Sequence, residues 1–482
     1  MVHDTAENSR LALVTGATGY IGSQIIEKLV REGWAVRALS RSRDKAAKAP
    51  WHPYVTNGPA QSGQVEVFEG DAGDGDDLRR ALTDVDAAWY LLHSMGSGPD
   101  FREKEQQMAQ AFAAAAREQD VSRIVYLGGL HPDDEELSEH LASRREVGEV
   151  LLDSGVPTAA LQAGVVLGDG SKSFTMLRHL AERLPGAFGP SWINNRITPI
   201  SIRDAVHYLA AAADLPREVN RTFDIGGPDT LAYGEMMSRY AQAVGLPPRL
   251  VFTLPVVTPK LAAQWMSLVT PVPAKVAAPL IGSVLADTVV KERDLEELVG
   301  QPEGGNQSFE EAVRAATAGL HTRRWRHTLL KTGSAVAATA AVGTALTDPE
   351  NSWYRKLDKP AWQPPKLAFP LAWTALYVDI AVVSALVIAD AEEKKRGSAV
   401  PDWAALGTNL VLNAGWSGLF FRARRPWVAA AGAAALAVSS ADLVRRAGKS
   451  SPQRGVLLSP YAAWTSFATA LSTAIAWRNR TR

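Results

Sequence analysis

The chain has 482 residues, more than one ordinary domain holds, with 51 Lys plus Arg against 51 Asp plus Glu and no cysteine. Balanced charge gives no overall field for nucleic acid, and the missing thiols exclude disulfides, cysteine nucleophiles and cysteine-ligated zinc. Of the 14 tryptophans, 9 lie from Trp325 onward, where charges thin and alanine-rich apolar runs begin, so a domain boundary is expected near His321. The first ten residues are polar and lack the apolar stretch of a secretory signal, so the first domain is expected in the cytoplasm.

Residues 11–15 (LALVT) read as a short strand, followed at once by Gly16-Ala17-Thr18-Gly19-Tyr20-Ile21-Gly22. Helical spacing then begins at Ile25, Ile26, Leu29 and Val30. In that context a glycine turn lets the backbone approach a pyrophosphate, which the free N–H groups and positive dipole end of the helix attract. The second strand, over 35–39, runs into Ser40-Arg41-Ser42-Arg43. An NAD enzyme usually carries an acid there for the ribose hydroxyls; Arg41 suits a 2′-phosphate, so NADP(H) is expected over NAD(H).

Further strands are read over 65–68, 87–92 and 122–127, with an alanine-rich helix over 101–119 and another over 174–184. The alternation predicts a doubly wound parallel sheet with ligands at the carboxyl ends of its strands. Gly16, Arg41, Asp71, His93, Ser94 and Gly129 then fall along one rim, with Asp71 in position to meet adenine. The Pro-punctuated stretch 254–279 is unusually apolar; it lines a lipophilic pocket, docks against the membrane module, or is core plus loops.

TGATGYIG, VRALSRS, EGDAGD, RIVYLGGL and HLASRREVGEVLLDSGVPTAALQAGVVLG resemble the atypical short-chain dehydrogenase/reductase family, in its NmrA-like NAD(P)H-binding branch, over residues 10–315. The resemblance implies an α/β Rossmann core over 10–165 and a substrate lobe over 166–320. It implies cofactor contacts from Gly16, Thr18, Gly19, Tyr20, Ile21, Gly22, Ser40, Arg41, Asp71, His93 and Ser94. Active members of the wider family use a Tyr and, four residues on, a Lys. Counted back from Ser154-Gly155, those places hold His140 and Arg144, the candidate catalytic pair. Histidine moves protons near neutral pH; arginine does not, but binds ribose or phosphate. The alternative is that His140 is a surface helix residue.

Five apolar stretches follow, near 329–346, 370–389, 403–421, 427–444 and 456–477, separated by charged linkers. Most are long enough to cross a hydrocarbon core of ~30 Å. Basic residues at the span ends number 11 on the side of the first module and 10 on the other, so charge bias does not orient the spans. A cytoplasmic cofactor domain does, and five spans then put the C-terminus outside.

The run Trp353–Pro365 (WYRKLDKPAWQPP), then Trp373, Thr374 and Tyr377, Asn409 and Asn413 before Trp416, and Pro460-Tyr461 before Trp464, resemble the TspO/MBR family of tryptophan-rich sensory and translocator proteins over 325–480. The resemblance implies an all-α five-transmembrane-helix bundle with a ligand pocket formed by Trp373, Tyr377, Asn409, Asn413 and Trp464, under a lid carrying Tyr354. It also implies a porphyrin, haem or other hydrophobic ligand, and a homodimer through the membrane domain. Asn409 and Asn413 are one helical turn apart and share a face. Two departures stand out: Asp379 lies deep in the second span, and the last span lacks the Tyr of the animal sterol motif.

The sequence therefore points to an integral membrane protein, with no metal site and no nucleic-acid partner. Two functions follow. One is an NADPH-dependent oxidoreductase of a lipophilic substrate. The other is a non-catalytic NADPH-responsive sensor, or a transporter of tetrapyrroles or other hydrophobic ligands.

Overall fold

The computed structural model describes residues 9–92, 101–132, 137–254, 258–394 and 398–480. The chain divides into two compact units, Met1–Ala263 with Ala274–Leu320, and Gln264–Pro273 with His321–Arg482.

The first unit is built on a wholly parallel seven-stranded sheet. Its strands are β1 (Leu11–Val14), β2 (Ala35–Ser40), β3 (Val65–Glu69), β4 (Ala87–Tyr90), β5 (Arg123–Gly129), β6 (Thr158–Ala163) and an edge strand, Arg221–Ile225. Across the sheet the order is Arg221–Ile225, β6, β5, β4, β1, β2, β3. Central strands are covered on both faces, so they carry near-continuous apolar runs such as Ala87-Ala88-Trp89-Tyr90, buried throughout. In the register Val14 stands beside Ala38 on one side and Trp89 on the other.

Helix α1 (Tyr20–Arg31) covers one face with Ile25, Ile26 and Leu29, joined there by Leu209 of the helix Ile202–Ala211. Helices α2 (Phe101–Glu118) and α3 (Glu139–Leu152) cover the other with Phe112, Val147 and Leu151. The strand order reverses at β1, which opens a crevice at the carboxyl ends of β1 and β4, the place where doubly wound sheets bind ligands. Three expected elements shift slightly. β4, expected over 87–92, ends at Tyr90. β5 runs two residues past Leu127, and the helix expected over 174–184 begins at Lys172 because the Ser171 hydroxyl caps it, accepting from the Phe174 N–H.

The second unit contains five long helices among the described residues: α4 (Arg324–Leu346), α5 (Ala368–Lys394), α6 (Val400–Ser417), α7 (Pro426–Ser450) and α8 (Pro452–Arg478). A π turn, Gly418–Arg422, prolongs α6. They run alternately up and down. At one end the ion pairs Arg324–Glu393, Arg446–Asp402 and Arg454–Asp390 join the starts of α4, α6 and α8 to the ends of α5 and α7. At the other, Arg422 donates to the Ala345 carbonyl and Thr347 to Ser417.

Inside lie Ile380, Val383, Leu406, Leu458 and Tyr461; outside, Leu330, Leu371, Val378, Val411, Val438 and Val456 stand exposed. An apolar exterior on long helices is the inverse of a soluble bundle and fits lipid. Helices α4, α5 and α7 are long and apolar enough to cross a membrane.

Candidate functional site

Gly16 ends β1 with φ of 64°, in the left-handed region, and a Cβ there would stand 2.7 Å from the Leu91 carbonyl oxygen. A Cβ on Gly22 would run into the Gly16 carbonyl, which holds the first turn of α1 against the loop. Gly19 caps α1 without any side chain, so the first-turn N–H groups face outward unblocked. Beneath the turn the fully buried Trp51 donates its indole N–H to the Ala17 carbonyl at 2.9 Å. The Thr15 hydroxyl bridges β1 to β4, donating to the Trp89 carbonyl and accepting from the Leu91 N–H, both at 3.0 Å. Such a side-chain-free cradle at a helix N-terminus fits a dinucleotide pyrophosphate.

Ile21 is half-buried and Thr18 exposed. The Tyr20 ring lies over the Gly168–Gly170 turn, and burial, with Asp169 nearby, holds its hydroxyl above the usual phenol range. Ser40 is buried and its hydroxyl bonds the Ser42 backbone. Arg43 pairs with Glu69 at 3.0 Å, whereas Arg41 is exposed and has no ion-pair partner among the described residues. Asp71 sits past the end of β3 and accepts from the Gly73 N–H at 2.9 Å. His93 and Ser94 lie outside the described residues.

Beside the cradle a cavity of about 230 Å³ is lined by Ile21, Leu91, Gly129, His140, Arg144, Val165, Leu280 and Val284, with Ser173 and Thr288 as further polar groups. His140 and Arg144 are i and i+4 on α3, and both reach it. Gly129 keeps the space open, since a Cβ there would stand 2.8 Å from Leu141 Cδ2. Burial lowers the His140 imidazole to about 4, with the Arg144 charge adding to the effect, so the ring is neutral at physiological pH. Arg144 donates to the Leu127 carbonyl, and its guanidinium carbon stands 5.7 Å over the Tyr126 ring, whose hydroxyl donates back to the Arg144 carbonyl at 2.9 Å. A fixed cation and a neutral imidazole amid largely apolar walls can polarise one oxygen of an otherwise lipophilic molecule. Sequence reasoning missed Trp51, Ser173 and Thr288, which lie in no recognisable motif, and Tyr126, which sits inside the RIVYLGGL motif but was given no role.

In the second unit, Tyr377, Asn413, Tyr461 and Asn409 form one hydrogen-bonded chain. Tyr377 donates to Asn413 Oδ1 at 2.9 Å, Asn413 Nδ2 to Tyr461 Oη at 3.2 Å, and Tyr461 to Asn409 Oδ1 at 2.7 Å. Asn409 Nδ2 closes the chain on Ser440 Oγ at 3.2 Å. Trp373 packs 5.2 Å from Tyr377, and Trp464 stands 5.9 Å from Phe369. Tyr354, on the short helix Ser352–Lys356, packs on Phe420 and Phe421 at 6.1 and 5.3 Å, in a group that also holds Phe369, Trp464's neighbour. Tyr461, on α8, was the unexpected member of the hydrogen-bonded chain. Asp379 is half-buried on α5.

Comparison with known proteins accounts for both units. Residues 16–179 match the NAD(P)H-binding family model and residues 332–478 the TspO/MBR family model. The chain is 29% identical over 251 residues to a ceramide reductase of Caulobacter vibrioides, covering 49% of this chain and 72% of that protein. It is 34% identical over 139 residues to a tryptophan-rich sensory protein of Cereibacter sphaeroides, covering 29% of this chain and 83% of that one. The structure of a Citrobacter triphenylmethane reductase matches with a TM-score of 0.50 at 19% identity, over 64% of this chain and 99% of that one, a likeness of fold. The chain is an integral membrane protein of the TspO/MBR family, whose TspO unit follows an NAD(P)H-binding, reductase-like Rossmann domain.

Proposed function

We propose that this protein is an NADPH-dependent reductase of a carbonyl group on a lipophilic, membrane-borne substrate. In this reading residues 10–165 hold the nucleotide and residues 166–320 the substrate, on the cytoplasmic side of five spans. The observation that carries it is the convergence of His140 and Arg144 in one largely apolar cavity that also touches Ile21 of the glycine cradle. A bound reduced nicotinamide supplies a hydride. Arg144 would attract the carbonyl oxygen and the negative charge that grows on it, and neutral His140 would donate a hydrogen bond to the same oxygen, while solvent water would supply the proton that completes the alcohol. Leu280 and Val284 would pack on the acyl part. Exposed Arg41, uncommitted beside the paired Arg43, favours a 2′-phosphate and hence NADP(H). The name of the Caulobacter relative, a ceramide reductase, supports a lipid as substrate. Apolar residues on the outside of α6 and α8, Val411 and Val456 among them, support five crossings rather than three.

The test is NADPH oxidation by the full chain in nanodiscs with a long-chain lipid ketone. Arg144→Ala should lower kcat by about 100-fold or more, with Arg144→Lys partly restoring it. Equal turnover by wild type and Arg144→Ala would refute the assignment.

A second reading is favoured by one fact: no phenol stands where His140 does. The first unit would then bind NADPH without turnover and report to a bundle that senses or transports a porphyrin, haem or other hydrophobic ligand. Linkage then requires each ligand to change the affinity of the other. Calorimetry giving one porphyrin affinity with and without NADPH would remove this reading.

A further inference from the structure

Strand register places a second set of polar groups on the face of the sheet that α2 and α3 cover. β5, β6 and the edge strand Arg221–Ile225 pair so that Tyr126, Ala160 and Thr222 stand in one row and Gly128, Gln162 and Asp224 in a second. Residues two apart share a face, so all six positions look the same way. Tyr126 and Ala160 still belong to the apolar core that Val147 and Leu151 of α3 fill. The second row does not: it offers a glycine, an amide and a carboxyl. Beside it a cavity of about 350 Å³ opens, walled by Arg144, Arg145 and Glu149 of α3 and by His131, Lys291 and Glu292.

The polar groups of the floor are held in fixed directions. His131 is buried, and its Nδ1 lies 3.0 Å from the Pro132 carbonyl, which can only accept, so Nδ1 carries the proton. Nε2 of the neutral ring is then an acceptor, and Gln162 Nε2 donates to it at 3.1 Å. This orients the amide and leaves Gln162 Oε1 for another donor. On the next strand Asp224 Oδ2 accepts from the Lys291 N–H at 2.9 Å, which leaves Oδ1. Burial holds the Asp224 carboxyl above its usual range. Adjacent strands lie about 4.8 Å apart, so one small molecule reaches both acceptors.

The charges around the cavity select what enters. Arg144, Arg145, Arg221 and Lys291 stand with Glu149, Asp224 and Glu292. A phosphate would meet three carboxyl groups and an ammonium four cations, and like charges brought together are penalised. Several of these charges are also occupied already. Arg145 pairs with Glu149 at 3.5 Å, Arg221 with Asp294 at 2.7 Å, and Glu292 accepts from the Asp224 N–H at 2.6 Å. Arg144 spends one nitrogen on the Leu127 carbonyl and keeps other N–H groups as donors. Two oriented acceptors and a guanidinium donor, with the charges balanced, suit an uncharged molecule rich in hydroxyls.

We propose that this cavity binds a neutral polyhydroxylated molecule, a sugar or cyclic polyol, whose hydroxyls donate to Gln162 Oε1 and Asp224 Oδ1 and accept from Arg144. Arg144 and Gly129 line this cavity and the His140 cavity alike, so the ligand would rest against the arginine assigned to the lipid carbonyl. Its binding needs neither nucleotide nor turnover, so it stands or falls separately from the reductase reading.

The test is saturation-transfer NMR on the full chain in nanodiscs, without NADPH, using myo-inositol and methyl α-glucoside as probes and choline and inorganic phosphate as charged counterparts. The expected result is saturable binding of at least one polyol with a dissociation constant on the order of 1 mM. Gln162→Leu and Asp224→Ala should each weaken it about tenfold or more, the scale of one lost hydrogen bond to a fixed or charged acceptor. Both variants should keep NADPH affinity within about twofold, which shows that the sheet is intact; should one fail that check, the other decides. No saturable signal from either polyol would overturn the proposal. So would polyol affinity unchanged in a folded variant, or tighter binding of choline or phosphate than of both polyols.

Discussion

The Tyr461 hydroxyl donates to Asn409 Oδ1 at 2.7 Å while accepting from Asn413 Nδ2 at 3.2 Å, so one phenol ties together two amides that lie a helical turn apart on α6. All three side chains are buried, so removing one partner leaves a buried polar group unsatisfied. Tyr461→Phe should lower the stability of the bundle by about 1 kcal/mol, the scale of interhelical hydrogen bonds in membranes. A double-mutant cycle with Asn409→Ala, read by unfolding in detergent, checks it: additive losses would show that the two groups are not coupled.

Arg41 offers its guanidinium to solvent beside the glycine cradle, whereas Arg43 is held by Glu69. Arg41→Ala should weaken NADPH binding by about 10- to 100-fold, as expected for a charge-assisted contact, and leave NADH binding within about twofold. Titration of nucleotide fluorescence gives both constants. An equal loss for the two nucleotides would assign Arg41 no part in recognising the phosphate.

The Gly22 position admits no side chain, because a Cβ would strike the Gly16 carbonyl. Gly22→Ala should displace the turn and abolish nucleotide binding, at a stability cost of about 1–3 kcal/mol from overpacking. Binding calorimetry and urea unfolding of the same sample separate the two effects.

His140 sets a pH dependence whose sign follows from its burial. Its folded value near 4 lies below its ordinary value of 6.5. Above the ordinary value both folded and unfolded rings are neutral, and stability is at its full level. As pH falls through that window the unfolded chain takes up the proton first, and roughly 3 kcal/mol is lost by the time the folded ring titrates. His140→Gln should flatten this part of the curve when urea midpoints are compared between about pH 7 and pH 5. An unchanged slope would show that the ring is solvated.

The doubly wound sheet was readable because its strands are short apolar runs between helical periodicities, and because the glycine turn sits at β1 where the topology requires it. The pairing of Asn409 with Asn413 was readable from helical spacing alone. Their anchor, Tyr461, was not: it comes from another helix, and no spacing rule links residues across a bundle. Arg454 was equally hidden. It stood among the basic residues at the spans' inner ends, yet it is buried against Asp390 and two backbone carbonyls from a segment more than 180 residues earlier in the chain. Sequence patterns disclose the face a residue shares with its own element; they do not disclose which distant element fills that face.

The most direct test is product analysis with the full chain in nanodiscs, supplied with NADPH and a long-chain lipid ketone. The account predicts one lipid alcohol formed per NADPH consumed, with NADH a poor substitute and both signals lost in Gly19→Asp. Saturable NADPH binding with no alcohol formed from any lipid ketone would contradict it.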